Sequence, residues 1–211
     1  MDEQRLSELG PDALESGGDY ANVALRDCEL TKRGLGDMCL ESSVLSKIRA
    51  AGIPLPRLRL SDVVLRDCDF ANAAWDRARL TAVGLSKCRL TGWIVADSLL
   101  RNVEFVGCKI DLAVFHNATL TDCRFHACDL RETDFQAAAL KNVTFRRCDL
   151  QSVRFAGAAL RSVDFRGSHL AGIVVDPHSL AGNVFDPSQV LDVARVLGLE
   201  VRALEEEDLA R

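Results

Sequence analysis

The chain has 211 residues, of which 48% are hydrophobic, a mean hydropathy of +0.04 and a formal net charge of −5. This is ample for one globular or solenoid domain with a sizeable core. No stretch approaches the ~18–20 apolar residues that a membrane-spanning helix needs, and we find no signal peptide. We therefore expect a soluble cytoplasmic protein that has no membrane partner.

The first segment, residues 1–19, is polar and is punctuated by glycine and proline. It carries six Asp and Glu against one Arg. We expect it to form a weak N-terminal cap or a flexible tail. The main domain is predicted to begin at residue 20, where a regular pattern of apolar residues starts.

Every fifth residue from Tyr20 to Phe185 is large and apolar, and among these 34 positions only Ala50 breaks the rule. A helix would repeat apolar residues at i, i+3, i+4 and i+7, and an ordinary strand would alternate them. A second, usually smaller apolar residue lies two positions before each large one, as in an extended strand. The two residues that follow the large one are mostly polar or Gly, which suits a turn. Each pentapeptide is therefore predicted to be a very short strand followed by a corner.

A longer period of 20 residues shows how many corners close one coil. Phenylalanine recurs at large positions that are 20 residues apart, and so do six cysteines at the smaller position. Four pentapeptides per coil predict a four-sided parallel β-helix over residues 20–185, with about eight coils whose equivalent residues stack. The cysteines of this column are Cys28, Cys68, Cys88, Cys108, Cys128 and Cys148.

The repeats resemble those of the pentapeptide-repeat family. Segments such as Cys128-Asp129-Leu130-Arg131-Glu132 and Thr133-Asp134-Phe135 are similar to its consensus A-[DN]-[LF]-x-x, although Cys and Thr replace the first Ala. The resemblance covers about four-fifths of the chain. It implies an all-β solenoid, the right-handed quadrilateral parallel β-helix, and a role in binding rather than catalysis.

Cysteine and histidine do not form a pattern that indicates chemistry. Stacked cysteines should lie ~4.8 Å apart, beyond the usual Cβ separation of a disulfide, so we interpret them as small buried thiols. Only Cys39 falls on an outward position. We find no zinc-type cysteine pair, phosphate-binding loop or nucleophile with its base, and we predict no metal, no cofactor and no enzyme activity.

Two segments strain the pattern. Residues 46–57 contain Gly52, Pro54 and Pro56, which predicts a distorted coil or loop that keeps the 20-residue register. Trp93 occupies a small position, so we expect a bulge or an outward turn there. Local repacking is one interpretation of the apolar residues nearby. The other is an exposed interface patch, whose candidate residues are Trp93, Ile94, Leu99, Leu112 and Val114.

The C-terminal segment, residues 186–211, begins with Asp186-Pro187-Ser188-Gln189, which reads as an N-cap, a first-turn proline and a capping-box Gln. A helix is expected over about 187–197, ending at Gly198. It either caps the last coil or also forms a homodimer. The run from Gln189 to Val201 resembles the dimerisation segment of the quinolone-resistance pentapeptide proteins. The dimerisation candidates are Val190, Leu191, Val193, Ala194, Leu197, Leu199 and Val201.

Family members linked to quinolone resistance bind DNA gyrase or another type II topoisomerase, and they are thought to imitate a DNA duplex. Such mimicry needs an acidic surface, but residues 20–185 hold 22 Lys and Arg against 18 Asp and Glu. The leading hypothesis is a dimeric, gyrase-binding rod with quinolone protection. The alternative is a scaffold or interaction module with an unrelated protein partner. The small positive balance gives no reason to expect direct nucleic-acid binding.

Overall fold

The computed structural model describes residues 6–31 and 34–202. One short helix, α1, follows a stack of short strands and covers Val190–Val196. Three 3-10 turns cover Pro11–Ala13, Pro177–Leu180 and Pro187–Gln189. The strands are β1 Ser7–Glu8, β2 Asp19–Ala21, β3 Val23–Arg26, β4 Cys39–Ser46, β5 Arg59–Arg66, β6 Arg79–Ser86, β7 Leu99–Val106, β8 Thr119–Thr121, β9 Arg124–His126, β10 Ala139–Lys141, β11 Thr144–Arg146, β12 Arg154–Phe155, β13 Ala159–Arg161 and β14 Val174–Val175.

From β2 onward, the strands pair in parallel with partners 20 residues away. Leu80, for example, pairs with Leu60 on one side and with Leu100 on the other. Isolated bridges continue the same register on the remaining sides, as from Arg89 to Lys109. The predicted parallel β-solenoid of about eight turns, with a short C-terminal helix, is confirmed.

The corners are formed by residues in the left-handed backbone region, and these recur every fifth position. Asp67, Asn72 and Arg77 have φ of 53°, 55° and 57°. Glycine occupies some corners, but most carry a side chain, and Asp and Asn tolerate this conformation better than other L-residues do. The polar corner pattern of the sequence therefore reflects a backbone requirement as well as exposure.

The interior is a column of large side chains flanked by smaller ones. Phe105, Phe125 and Phe145 stack with ring centroids 4.6 and 4.9 Å apart. The column continues through Phe165 to Phe185, at 5.5 and 5.1 Å. Equivalent residues therefore lie one β-rung apart, as the 20-residue period predicted.

The expectation that Trp93 turns outward is wrong. Its side chain is fully buried and meets Trp75 and Phe115 edge to face, at 5.1 and 5.7 Å between ring centroids. The small position above and below it holds Ala73 and Ala113, which leave room for the indole ring. A small slot in this solenoid can thus accept a large ring when its neighbours in the column are small.

The proline-containing segment follows the solenoid more closely than expected. Ala50, Gly52 and Leu55 donate backbone hydrogen bonds to the next coil with the 19-residue offset found elsewhere. The predicted conservation of register is therefore confirmed. The predicted distortion is limited to Pro54, which lacks the N–H that Ile94 and other equivalent residues donate to the preceding coil.

Both ends of the solenoid are covered within the described residues. At the N-terminal end, β1 pairs with β3, and Leu14 is buried beneath the first coil. At the C-terminal end, the expected capping box of Asp186 and Gln189 is present, and Gly198 has a φ of 72° just after the helix. In the described residues, no helix is long and apolar enough to cross a membrane.

Candidate interaction surfaces

Inward positions are filled by the core, so recognition must use the outward residues between them. The thiols illustrate the division. All eight cysteines are free, and the six at positions 68, 88, 108, 123, 128 and 148 are buried. Burial raises the pKa of the Cys123 thiol to about 11. Cys39, which we placed outside, is half-buried, as is Cys28.

Charged side chains on one outward column alternate in sign from coil to coil. Arg49 Nε lies 3.9 Å from a carboxylate oxygen of Glu29, and Arg89 Nη1 lies 3.2 Å from one of Asp69. At another corner, Arg57 Nη2 donates a 2.6 Å hydrogen bond to Asp37 Oδ2. These carboxylates are each matched by a base one coil away, so these columns do not form a continuous acidic stripe.

The candidate apolar patch is only partly assembled. Ile94 and Val114 pair across adjacent coils and are half-buried, and Leu112 lies at the preceding corner with 51% of its surface exposed. Leu99 is exposed but belongs to β7, beyond the corner at Asp97. The buried Trp93 contributes nothing to this surface. The structure therefore brings three of the five candidates together.

The C-terminal segment is anchored to the last coil by Gln189. Its buried side chain donates hydrogen bonds of 2.7 and 2.6 Å to the carbonyl oxygens of Phe165 and Ser168. Its Oε1 accepts a hydrogen bond from the Asp186 backbone N–H at 2.9 Å. This anchoring uses backbone acceptors that the final coil would otherwise expose at the end of the solenoid.

The dimerisation candidates divide between two environments. Ala194 is buried, and Val193 is half-buried, so these two do not project freely into solvent. The other five are between 48% and 59% exposed: Val190, Leu191, Leu197, Leu199 and Val201. A helix of two turns with this many exposed apolar residues is unusual for a mere cap. The seven candidates thus reduce to five that are available for contact.

These surfaces decorate a scaffold that defines the class of protein, a parallel β-solenoid with four short sides per coil. Sequence models of "Pentapeptide repeats (8 copies)" and "Pentapeptide repeat region" match residues 59–92 and 98–174, more than half of the chain. The chain belongs to the pentapeptide-repeat family. A comparison with curated proteins found no significant match.

Solved structures similar to this chain include three of low sequence identity. A trypsin-treated variant of QnrB1, a plasmid-mediated fluoroquinolone resistance protein, is 17% identical, with 93% of this chain and 96% of that chain covered and a TM-score of 0.49. Full-length QnrB1 is 19% identical, with 86% and 100% covered and a TM-score of 0.37. HetL from Nostoc sp. strain PCC 7120, a protein involved in heterocyst differentiation regulation, is 19% identical, with 80% and 87% covered and a TM-score of 0.34.

Proposed function

We propose that the protein is a non-enzymatic binding protein of the cytoplasm whose rigid rod contacts a protein partner, and that this partner is DNA gyrase or another type II topoisomerase. The observation that carries the proposal is the C-terminal segment. Its sequence resembles the dimerisation segment of quinolone-resistance pentapeptide proteins, and it exposes five large apolar residues at the end of the rod.

The same segment supports a homodimer. Leu191 and Leu197 are 52% and 48% exposed on α1 and just after it, and pairing with a second copy would remove them from water. Light scattering of the wild type should give twice the mass of one chain. Leu191→Glu with Leu197→Glu should give a monomer that keeps the wild-type circular dichroism spectrum. A wild type that is monomeric at tens of micromolar contradicts the dimer.

Binding to gyrase is tested by pull-down with purified enzyme and by a supercoiling assay with and without a quinolone. We expect capture of gyrase, inhibition of supercoiling at high protein concentration, and partial protection from the drug at lower concentration. Failure in both pull-down and supercoiling contradicts the proposed partner. The monomeric double variant then shows whether the interaction depends on the dimer.

A second candidate is a scaffold with an unrelated protein partner, and the charge arrangement favours it. Imitation of DNA needs carboxylates that are free to interact, whereas Glu29, Asp37 and Asp69 are paired with arginines of the same rod. The apolar patch of Ile94, Leu112 and Val114 then becomes the contact surface. Leu112→Glu should abolish binding to a scaffold partner captured by the wild type, and should leave gyrase binding unchanged.

A further inference from the structure

Positive charge is concentrated on one side of the last three coils. The segments 121–127, 141–147 and 161–167 carry six Lys and Arg against two Asp, a net charge of +4. Residues 20–185 as a whole also carry +4, so the rest of the rod is neutral. We call these three stacked segments the basic face. Its cations are Arg124, Lys141, Arg146, Arg147, Arg161 and Arg166.

The parallel register places these cations on adjacent rungs. Lys141 pairs with Arg161 in the next coil, and Arg146 pairs with His126 in the preceding one. Neighbouring rungs are ~4.8 Å apart, so the cations form a compact surface rather than a scatter along the chain. The remaining sides of the same coils, residues 128–140, 148–160 and 168–180, carry a net charge of −3. The charge of this end of the rod is therefore strongly polarised.

Two of the arginines are held in place by one carboxylate. Asp164 accepts hydrogen bonds from Arg146 Nη1 at 2.5 Å and from Arg166 Nη2 at 2.8 Å. Two guanidinium groups around one carboxylate still leave a net positive charge, and their planar forks are fixed in orientation. Both arginines line a cleft of about 540 Å³, together with His126, Arg147 and Gly167.

The other cations are free to meet a ligand. Arg124, Arg147 and Arg161 are exposed, and within the described chain none of them forms an ion pair. The large aromatic residues of these segments, such as Phe125 and Phe145, point into the core and are fully buried. The basic face therefore offers cations to an anionic ligand but no aromatic platform on which an unpaired base could stack.

We propose that the basic face binds the phosphate backbone of double-stranded DNA without sequence preference. Five of its six cations are arginines, whose forked donors match phosphate oxygens. Cations on successive rungs suit a polyanion with closely spaced charges, and the lack of exposed aromatic side chains favours a duplex over a single strand. Contacts of this kind position a protein on DNA and carry no sequence information. The proposal does not depend on the identity of the protein partner.

Fluorescence anisotropy of the full chain with a labelled 20-base-pair duplex tests the proposal. With about four phosphate contacts, the slope of log K against log salt should be about −3.6, so raising salt from about 50 to 200 mM weakens binding roughly 150-fold. Arg124→Gln with Arg147→Gln should reduce the slope to about −1.8. Two duplexes of unrelated sequence should bind with the same affinity.

The matched control is Lys47→Gln with Lys87→Gln. Lys47, Lys87 and Arg147 share one corner column and nearly the same φ, 53°, 52° and 54°, but the two lysines lie outside the basic face. The control should bind DNA like the wild type. Three results would overturn the proposal: no binding at about 50 mM salt, equal loss in both double variants, or displacement of the duplex by polyglutamate at equal charge concentration. The last result would identify an acidic protein as the ligand.

Discussion

Trp93 and Val95 both point into the solenoid, and their sizes are reversed relative to the equivalent pairs one coil away. The preceding coil has Ala73 with Trp75, and the following coil has Ala113 with Phe115. A large ring in the small slot is thus accompanied by a small residue in the large slot. The two positions share one volume, which explains how Trp93 is buried without a bulge.

This exchange predicts the behaviour of substitutions. Trp93→Ala should lower the free energy of unfolding by about 3–5 kcal/mol, because it leaves a cavity. Adding Val95→Phe should recover at least about half of that loss, because it recreates the Ala and Phe arrangement of the next coil. Urea unfolding of the single and double variants measures both effects. Losses that simply add would show that the two positions do not share space.

Left-handed corners predict opposite effects of glycine at two neighbouring alanines. Ala137 is an exposed corner residue with a φ of 57°, and Ala139 is an exposed residue in β10. Ala137→Gly should stabilise the protein by about 0.5–1 kcal/mol, because glycine relieves the steric cost of the left-handed conformation. Ala139→Gly should destabilise it by a similar amount. Thermal unfolding measures both, and equal signs would contradict the role of the corner.

The hydrogen bonds to Asp164 predict a pH-dependent contribution to stability. Burial alone would raise the pKa of this carboxyl, but the hydrogen bonds donated by Arg166 and Arg146 outweigh it and hold the pKa far below its usual range. Because the folded-state pKa is depressed below the unfolded value of about 3.9, the stabilisation is present above that value and is lost as pH falls toward the folded pKa.

Asp164→Asn should therefore cost about 1–3 kcal/mol at pH 7, and its difference from the wild type should narrow below about pH 4. Asp122→Asn, at an exposed corner of the same face, is the control and should change stability by less than about 0.5 kcal/mol. Urea unfolding at several pH values measures these differences. A cost for Asp164→Asn that stays constant down to about pH 2 would show that its ionisation is not involved.

Burial of the thiols predicts their reactivity. A disulfide reagent added to the native protein should modify Cys28 and Cys39, which are half-buried, and should leave the six buried thiols unmodified on the same timescale. All eight should react after unfolding in guanidinium chloride. Mass spectrometry of peptides identifies the labelled residues. Rapid labelling of Cys108 or Cys128 in the native state would indicate that the coils open locally.

The sequence by itself determined the repeat, the stacking of residues 20 apart, the thiol column and the capping box at Asp186. These features could be predicted because each depends on side chains close together in the chain, whose size or polarity assigns them to the interior, the corner or the cap. The same local reasoning failed at Trp93, because the space available there is set by Ala73 and Ala113 from other coils.

Only the tertiary structure decided how charge is distributed around the rod. Asp164 and Arg146 are 18 residues apart, and the total charge of residues 20–185 contains no sign of the basic face. Likewise, the burial of Ala194 beside exposed Leu191 depends on how α1 docks against the last coil. Composition sums charges and apolar residues along the chain, whereas recognition depends on the side of the solenoid to which folding assigns each one.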